Sequence, residues 1–584
     1  MNYEVRNLLY RCINPLLLEE GIYFIVRRFL FSLQYRYLPS RWYYPKNVRG
    51  QFRKLPPLPE GGLGGVGGQA HNPSSPPLEK GREMVLKLAV GFLEYEGEPD
   101  WQKQFDDPEQ TMSLHRWHWL IYEDMDIAQG IALIRSWLTE MGAVPKGVAG
   151  TTYTTGERIV NALLFLAPYP RPLPQGEREI QGNSPPLLGG VRGGGQKIPE
   201  DIRDALREMA YHVARHLEYH GTRGTGNHVV NNARALFFAG QMLKVKELSD
   251  LALVIIKEAL PWLVTKEGFL REESSHYHLL FTRWIMEMYE LAKTTDHYEM
   301  EIFLAPWVKQ LAAQCWFFLV QDKQGGWQIP LVGDISPDCT PEWLLHYLVP
   351  CIFPYKPDTE EQGMQAYRES GWFRLNHGVH TLFWHIPQAC MIHRASHGHA
   401  DACSFVFFAS GVLVVIDPGR PTYKASDPLH IYSGGVSAHT SLTIDSFGPF
   451  PYDRAQKLPA FYQKREVFTQ WQKTGDQFVF SISHTGFLRI QGDMIKHTRH
   501  FKVRCNRPAF EVDDELYGTR AHAVETFFHF ASGIEGIHSQ HSTGVYKTIS
   551  DWTCPAYGVM IPSLTTKVSC ETIFPCTMTH RFSW

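Results

Sequence analysis

Across residues 201–320 apolar side chains return every three or four positions, which is the spacing of one face of a helix. Residues 201–220 (DIRDALREMAYHVARHLEYH) set this spacing against a charged face. Residues 228–244 bring Val229, Val230, Ala233, Leu236, Phe237 and Gly240 to one side. Residues 277–292 do the same with Tyr277, Leu280, Phe281, Trp284, Ile285, Met288 and Ala292, and residues 303–320 continue the pattern. Successive helices of this length with short loops predict helix pairs stacked in an array. Near residue 370 the period changes to short alternating or β-branched runs. SFVFFASGVLVVIDPG reads as two strands around a tight Ala-Ser-Gly turn, and SLTID, FVFSIS, AFEVDDEL and VETFFHF follow in the same style. Strands without intervening helices predict an antiparallel sandwich, with the boundary between the two halves at roughly 355–372.

Two stretches obey neither period. Residues 55–82 (LPPLPEGGLGGVGGQAHNPSSPPLEKGR) and 170–196 (PRPLPQGEREIQGNSPPLLGGVRGGGQ) are rich in Pro and Gly, and both contain Ser-Pro-Pro-Leu, at Ser75–Leu78 and Ser184–Leu187. Such segments bury too little apolar surface to offset chain entropy, so they are expected to be disordered low-complexity insertions. Residues 1–45 read as amphipathic helices with aromatic and basic side chains. Arg6, Arg11, Glu19, Glu20, Arg27 and Arg28 interrupt every apolar run before it could span a bilayer. We recognise no signal peptide and no transmembrane helix, so the reading is cytoplasmic, with periplasmic or cell-envelope association as the alternative.

At 584 residues the chain exceeds what one core organises, which argues for two or three domains. A net charge of −3 gives no basic excess, so nucleic acid is not expected as the partner. The 16 Trp, 26 Tyr and 27 His suit sugar stacking and acid–base work, but large cores use them too. The 10 Cys form no CxxC pairs and read as free thiols.

Three constellations could carry chemistry. Gly226-Asn227-His228 opens a helix, where Asn227 alone reads best as an N-cap. Glu272-Glu273-Ser274-Ser275-His276-Tyr277-His278 opens another; capping and the helix dipole explain the Glu and Ser residues, but three consecutive titratable rings point around the helix, so one should face a cleft or the core. The third runs from His393 through His397-Gly398-His399-Ala400-Asp401 and Asp417-Pro418-Gly419 to His439. A hairpin can bring His399 to Asp417, and two His with one Asp suit Zn2+; surface histidines are the alternative.

Together these blocks resemble the heparinase II/III family. HRASHGHADACSFVFFASGVLVVIDPG (393–419) and GGVSAHTSLTID (434–445) look like its C-terminal domain. GFLEYEGEPDWQKQF and HRWHWLIYEDM (within 91–125), with TTGERIVNALLFL (154–166), look like the N-terminal domain of heparan sulfate lyases. GNHVVNNARALFFAG and EESSHYHLLFTRW look like the helices that supply catalytic residues. The resemblance implies a multidomain α+β chain, an N-terminal (α/α) incomplete toroid followed by a C-terminal antiparallel β-sandwich. The expected division is a helical extension at 1–54, the insertion at 55–82, the toroid at 83–365 with its insertion at 170–197, and the sandwich at 366–584.

By that resemblance the chain is a carbon–oxygen lyase cleaving an acidic, uronate-containing polysaccharide by β-elimination. Asn227 would neutralise the uronate carboxylate, as an oxyanion hole does. Tyr277 and His397 would be the base and acid, and Arg158, His228 and His276 substrate contacts. His399, Asp417 and His439 would hold a structural Zn2+, and no organic cofactor is implied. A phenol near pKa ~10 needs a neighbouring cation to act as a base at neutral pH. Three neighbours depart from the family pattern: Thr440 where Asn is usual, Arg420-Pro421 after Asp417-Pro418-Gly419, and His276 before Tyr277. Two other functions stay in view. One is a non-catalytic glycan-binding or assembly protein of capsule or exopolysaccharide synthesis. The other is a glycoside hydrolase, which needs two carboxylates across a cleft, with Glu272, Glu273 and Asp401 as candidates.

Overall fold

A computed structural model describes residues 83–122, 125–166, 197–219, 226–358, 362–386, 397–449, 466–488, 490, 492–505, 507–534 and 536–584. The amphipathic N-terminus, both insertions and His393 lie outside them. The chain mixes helices and antiparallel sheets and divides into two compact units: residues 1–263, 281–309 and 337–339, and residues 264–280, 310–336 and 340–584.

The first unit opens with a hairpin of β1 (Glu83–Lys87) and β2 (Phe92–Glu96), in a region expected to be helical. It continues with α1 (Pro108–His115), α2 (Ile127–Met141), α3 (Thr152–Leu166), α4 (Glu200–Arg215), α5 (His228–Met242) and α6 (Lys246–Leu263). Starts are set by local chemistry. Asp107 accepts the Glu109 N–H ahead of α1, where Pro108 has no N–H to satisfy, and Asp126 accepts those of Ala128 and Gln129 at α2. The predicted face of α5 is buried, with Val229, Val230, Ala233, Leu236 and Phe237 at most 2% exposed, but so are the other residues of 229–240, including Asn231, Asn232 and Phe238. Yet α3 and α5 also bury charge. Arg234 pairs with Glu157 at 2.8 Å and Glu287 at 2.6 Å, and Arg283 with Glu287 at 2.8 Å.

Two helices belong to both units in sequence: α7 (Ser275–Thr294) and α8 (Tyr298–Phe318). The second unit adds the short β3 (Val320–Gln321) and β4 (Trp327–Gln328), α9 (Pro341–Ile352) and the strands. Segments 264–280 and 310–336 thus fall with the strands, although the sequence reading placed them with the helices. Bonds to the strand region explain this: Arg374 donates to the Trp316, Phe317 and Leu319 carbonyls at 3.1, 2.9 and 3.1 Å, and Thr265 Oγ1 lies 2.7 Å from Ser370 Oγ.

The large sheets begin at β5 (Gly363–Tyr367), followed by β6 (Trp372–His377) and β7 (His380–His385). The foreseen hairpin is β8 (Val406–Ala409) and β9 (Val412–Val415), whose turn residues Ser410 and Gly411 both have positive φ, at 49° and 73°. A short α10 (Pro428–Gly434) precedes β10 (Leu442–Ile444). Then come β11 (Val467–Thr474), β12 (Gln477–His484), β13 (Lys496–Arg504), β14 (Ala509–Tyr517), β15 (Ala521–Phe530), β16 (His538–His541), β17 (Val545–Ala556), β18 (Val559–Ile573) and β19 (Cys576–Ser583). One sheet has nine strands in the order β17-β18-β15-β9-β8-β7-β6-β5, with β10 on β15; another has six, β11-β12-β13-β14-β19-β16. Phe373, Trp384 and Phe407 of the first share one core with Phe480, Phe501, Val512 and Phe582 of the second. Alternate positions of β14 are buried, the period-two pattern of a strand with one face on a core.

Candidate functional site

In the second unit, three loops meet the start of α7. Ser274 caps that helix by accepting the Tyr277 N–H at 3.1 Å and donates to the Asp334 carbonyl at 2.7 Å. Gly333 lets the chain pass close: a Cβ there would stand 2.6 Å from the Glu273 carbonyl and 2.8 Å from that of His397. The next residue, Asp334, donates its N–H to the same His397 carbonyl at 2.8 Å. Asp401 closes the His397–Asp401 segment by accepting the Ser404 N–H at 2.7 Å, so this stretch is a loop and not a strand.

The Tyr277 ring stacks on the His397 imidazole, centroids 3.6 Å apart and planes 10° from parallel. The Tyr277 hydroxyl lies 3.2 Å from that of Tyr423, itself 3.4 Å from His397 Nδ1. Both imidazole nitrogens face carboxylates, Nδ1 Asp334 at 3.1 Å and Nε2 Glu272 at 3.4 Å. Asp334 is the hub: it also takes His399 Nε2 at 2.7 Å and the Arg420 guanidinium. Burial alone would raise its pKa, but Arg420 and the two histidines hold it well below the usual carboxylate range. Burial pushes the Tyr423 phenol well up, and the charge of Asp334 adds to this.

His399, Asp417 and His439 each place a ligand atom within 4.8 Å of the others, all buried. His399 gives its Nε2–H to Asp334, which leaves Nδ1 as the lone-pair nitrogen, and that atom has no hydrogen-bond partner. His439 Nδ1 reaches Asp417 at 2.9 Å and its Nε2 is likewise unpartnered. Burial lowers His399 to about 4, keeping the ring neutral as a ligand requires. Two imidazoles and a carboxylate, with His399 oriented by Asp334 behind it, are a donor set that fits Zn2+, although without metal the charge of Asp417 raises the His439 pKa against burial. Burial, with Asp417 and Glu273 adding to it, pushes Asp401 up to about 8.

Asn227 lies in the first unit, at the start of α5. Its side chain makes no capping hydrogen bond, so the N-cap reading does not hold, although the residue is only 2% exposed. His228 beside it is open, half exposed, near Glu218 at 3.1 Å and packed on the Tyr153 ring at 4.3 Å. Two expected substrate contacts turn inward. Arg158 is fully buried, donating to the His115 and Ala149 carbonyls and stacking on Trp137. His276 is fully buried, with Nδ1 accepting the Ser336 N–H at 3.0 Å. Both therefore pack the interior of their own units. Asp334, Tyr423 and Arg420 were not foreseen as site residues. Arg420-Pro421-Thr422-Tyr423 looked only like a departure after Asp417-Pro418-Gly419, and nothing local in Leu331-Val332-Gly333-Asp334 marks a carboxylate that meets His397.

Residues 359–572 match the family model described as heparinase II/III-like, C-terminal. Among solved structures the chain is similar to a crystal structure of heparinase III, at 15% identity over 84% of this chain and 79% of that one, with a TM-score of 0.63. A second heparinase III gene product gives 14% identity, 84% and 80% coverage and 0.55. A heparan sulfate lyase, HepC, from Pedobacter heparinus gives 13%, 86%, 80% and 0.50. No curated protein sequence matches the chain. Residues 359–572 are thus similar to a heparinase II/III-like C-terminal domain, and the chain has the fold of heparinase III.

Proposed function

We propose that the protein is a polysaccharide lyase that cleaves an acidic, uronate-containing glycan by β-elimination. The observation that carries this is the stacked Tyr277–His397 pair, two proton-transfer groups face to face, with the imidazole oriented by Asp334. Abstraction of the C5 proton needs a base strong enough for a weak carbon acid. Where Tyr277 is the base, the stacked His397, held between Asp334 and Glu272, is the group beside it that can carry the positive charge a phenolate needs. The same two groups then return a proton to the departing glycosidic oxygen. The C5 configuration decides which of them acts as base. Asn227 is the proposed amide donor to the uronate carboxylate, and the exposed His228 the proposed substrate contact. The helices of the first unit are read as the incomplete toroid and the two sheets as the sandwich. His399, Asp417 and His439 are read as holders of a structural Zn2+, which when bound would fix the loop that presents His397.

Digestion in heavy-oxygen water separates elimination from hydrolysis. Elimination forms a C4–C5 double bond and takes no solvent oxygen into the new ends, whereas a hydrolase adds one. Mass spectra with unlabelled, unsaturated ends are expected; labelled, saturated ends would replace the lyase by the hydrolase.

A further inference from the structure

A second cluster in the strand-bearing unit has no part in the chemistry above. We propose that Cys403, His484 and His497 form a separate zinc site in the core of this unit. One ligand atom from each lies within 4.8 Å of the others, and all three side chains are buried. His484 ends β12 and stands directly opposite His497 on β13. Their rings meet edge to face, with His484 Nε2 3.0 Å from His497 Nδ1. Two nitrogens bound to one tetrahedral zinc at ~2.0–2.1 Å stand about 3.3–3.4 Å apart, so the pair has only a few tenths of an ångström to open.

The surroundings are those of a ligand set. His497 Nε2 is 2.7 Å from Asp514 Oδ1, the carboxylate-behind-imidazole arrangement that fixes a ligating tautomer. Arg499 holds Asp514 through two bonds of 2.6 and 2.9 Å and reaches the Cys403 carbonyl at 3.1 Å, tying the cysteine to β13. Cys403 has φ 64°, a left-handed conformation rare outside glycine, so a tethered and unfavourable backbone presents this thiol. A thiolate with two imidazoles is a donor set that zinc prefers over magnesium or calcium. Without metal, His484 accepts the Gly486 N–H at Nδ1 and gives its Nε2–H to His497. Ligation moves that proton to Nδ1 at the expense of the Gly486 contact and releases the Cys403 thiol proton, which burial otherwise retains.

Co2+ is the probe. The full chain, stripped by chelator, is titrated with Co2+ and then with Zn2+. The expected result is a thiolate-to-cobalt charge-transfer band that saturates by two ions per chain, or by one in Asp417→Asn, is erased by Zn2+ and is missing in Cys403→Ser. The band should persist in Asp417→Asn, because the His399–Asp417–His439 set has no sulfur. Circular dichroism of metal-free Cys403→Ser checks its fold. If that variant does not fold, the wild-type titration still decides. No band in folded wild-type protein, or a band that survives in folded Cys403→Ser, overturns the proposal.

Discussion

Replacing Asp334 by Asn keeps the shape of the side chain and removes the charge on which three donors converge. The carboxylate and Arg420 are each 3% exposed. Removing one partner of a buried ion pair costs about 3–5 kcal/mol, because the other charge stays in low dielectric. Arg420 keeps the His430 carbonyl at 2.8 Å and Ser433 Oγ at 2.9 Å, which places the expectation near the lower end, about 3 kcal/mol. At about 2.1 cal/mol/K of unfolding entropy per residue, a unit of this size shifts by roughly 1.5–2 °C per kcal/mol, so the melting temperature should fall by roughly 5 °C. Activity should fall further than stability. The new amide presents a donor where His397 Nδ1–H needs an acceptor, and loss of the orienting carboxylate behind a catalytic imidazole is worth up to ~10⁴ in rate. The assay is kcat at a temperature well below the variant's unfolding transition, with differential scanning calorimetry alongside. A variant that melts within about 1 °C of wild type and turns over at the wild-type rate would show that Asp334 neither compensates Arg420 nor orients His397.

Three further expectations follow the same physics. Arg234→Met leaves Glu157 and Glu287 buried with one counter-ion fewer, so the urea midpoint should fall by the equivalent of about 3 kcal/mol with no change of slope; an unchanged midpoint would refute the network's role. Burial pushes His115 down to about 3 and His278 to about 4; His278 Nδ1 accepts the Leu270 N–H at 3.2 Å, which a protonated ring cannot do. The folded state then binds fewer protons than the unfolded one below the unfolded pKa of about 6.5. Stability should fall as pH drops from there toward 4, by up to ~1.4 kcal/mol per pH unit for each histidine, and a flat denaturation midpoint between pH 6 and 5 would contradict this. Zn2+ uptake by chelator-stripped protein should decline by one ion per chain in Asp417→Asn, measured by elemental analysis, and undiminished uptake would discount the His399–Asp417–His439 set.

What sequence could reveal tracks the range of the interactions. Helices α5 and α7 and the β8–β9 hairpin are encoded by spacing and turn residues within a few positions, and they stand where the pattern put them. The His399–Asp417–His439 grouping is implied by the family resemblance, and its members flank the β8–β9 hairpin and β10 in sequence. The hub of the site was not legible. Asp334 and His397 are 63 positions apart, and Tyr277 and Tyr423 are 146 apart. No periodicity connects residues that meet only after folding. Arg158 and His276 misled for the opposite reason: a charged or titratable side chain near a motif suggests a ligand contact, and here backbone carbonyls and an N–H take those valences in the interior. The β1–β2 hairpin was passed over because its surroundings carry helical patterns.

The central claim is that Tyr277 and His397 perform an elimination. The direct test is the ultraviolet absorbance of the unsaturated uronate formed when the protein is incubated with heparan sulfate, hyaluronan and alginate, wild type beside Tyr277→Phe. A rise on at least one glycan, abolished in a Tyr277→Phe variant that melts like wild type, is the predicted result. A flat wild-type trace on all of them would move the reading to glycan binding or assembly, and a rise that Tyr277→Phe leaves intact would remove Tyr277 from the mechanism.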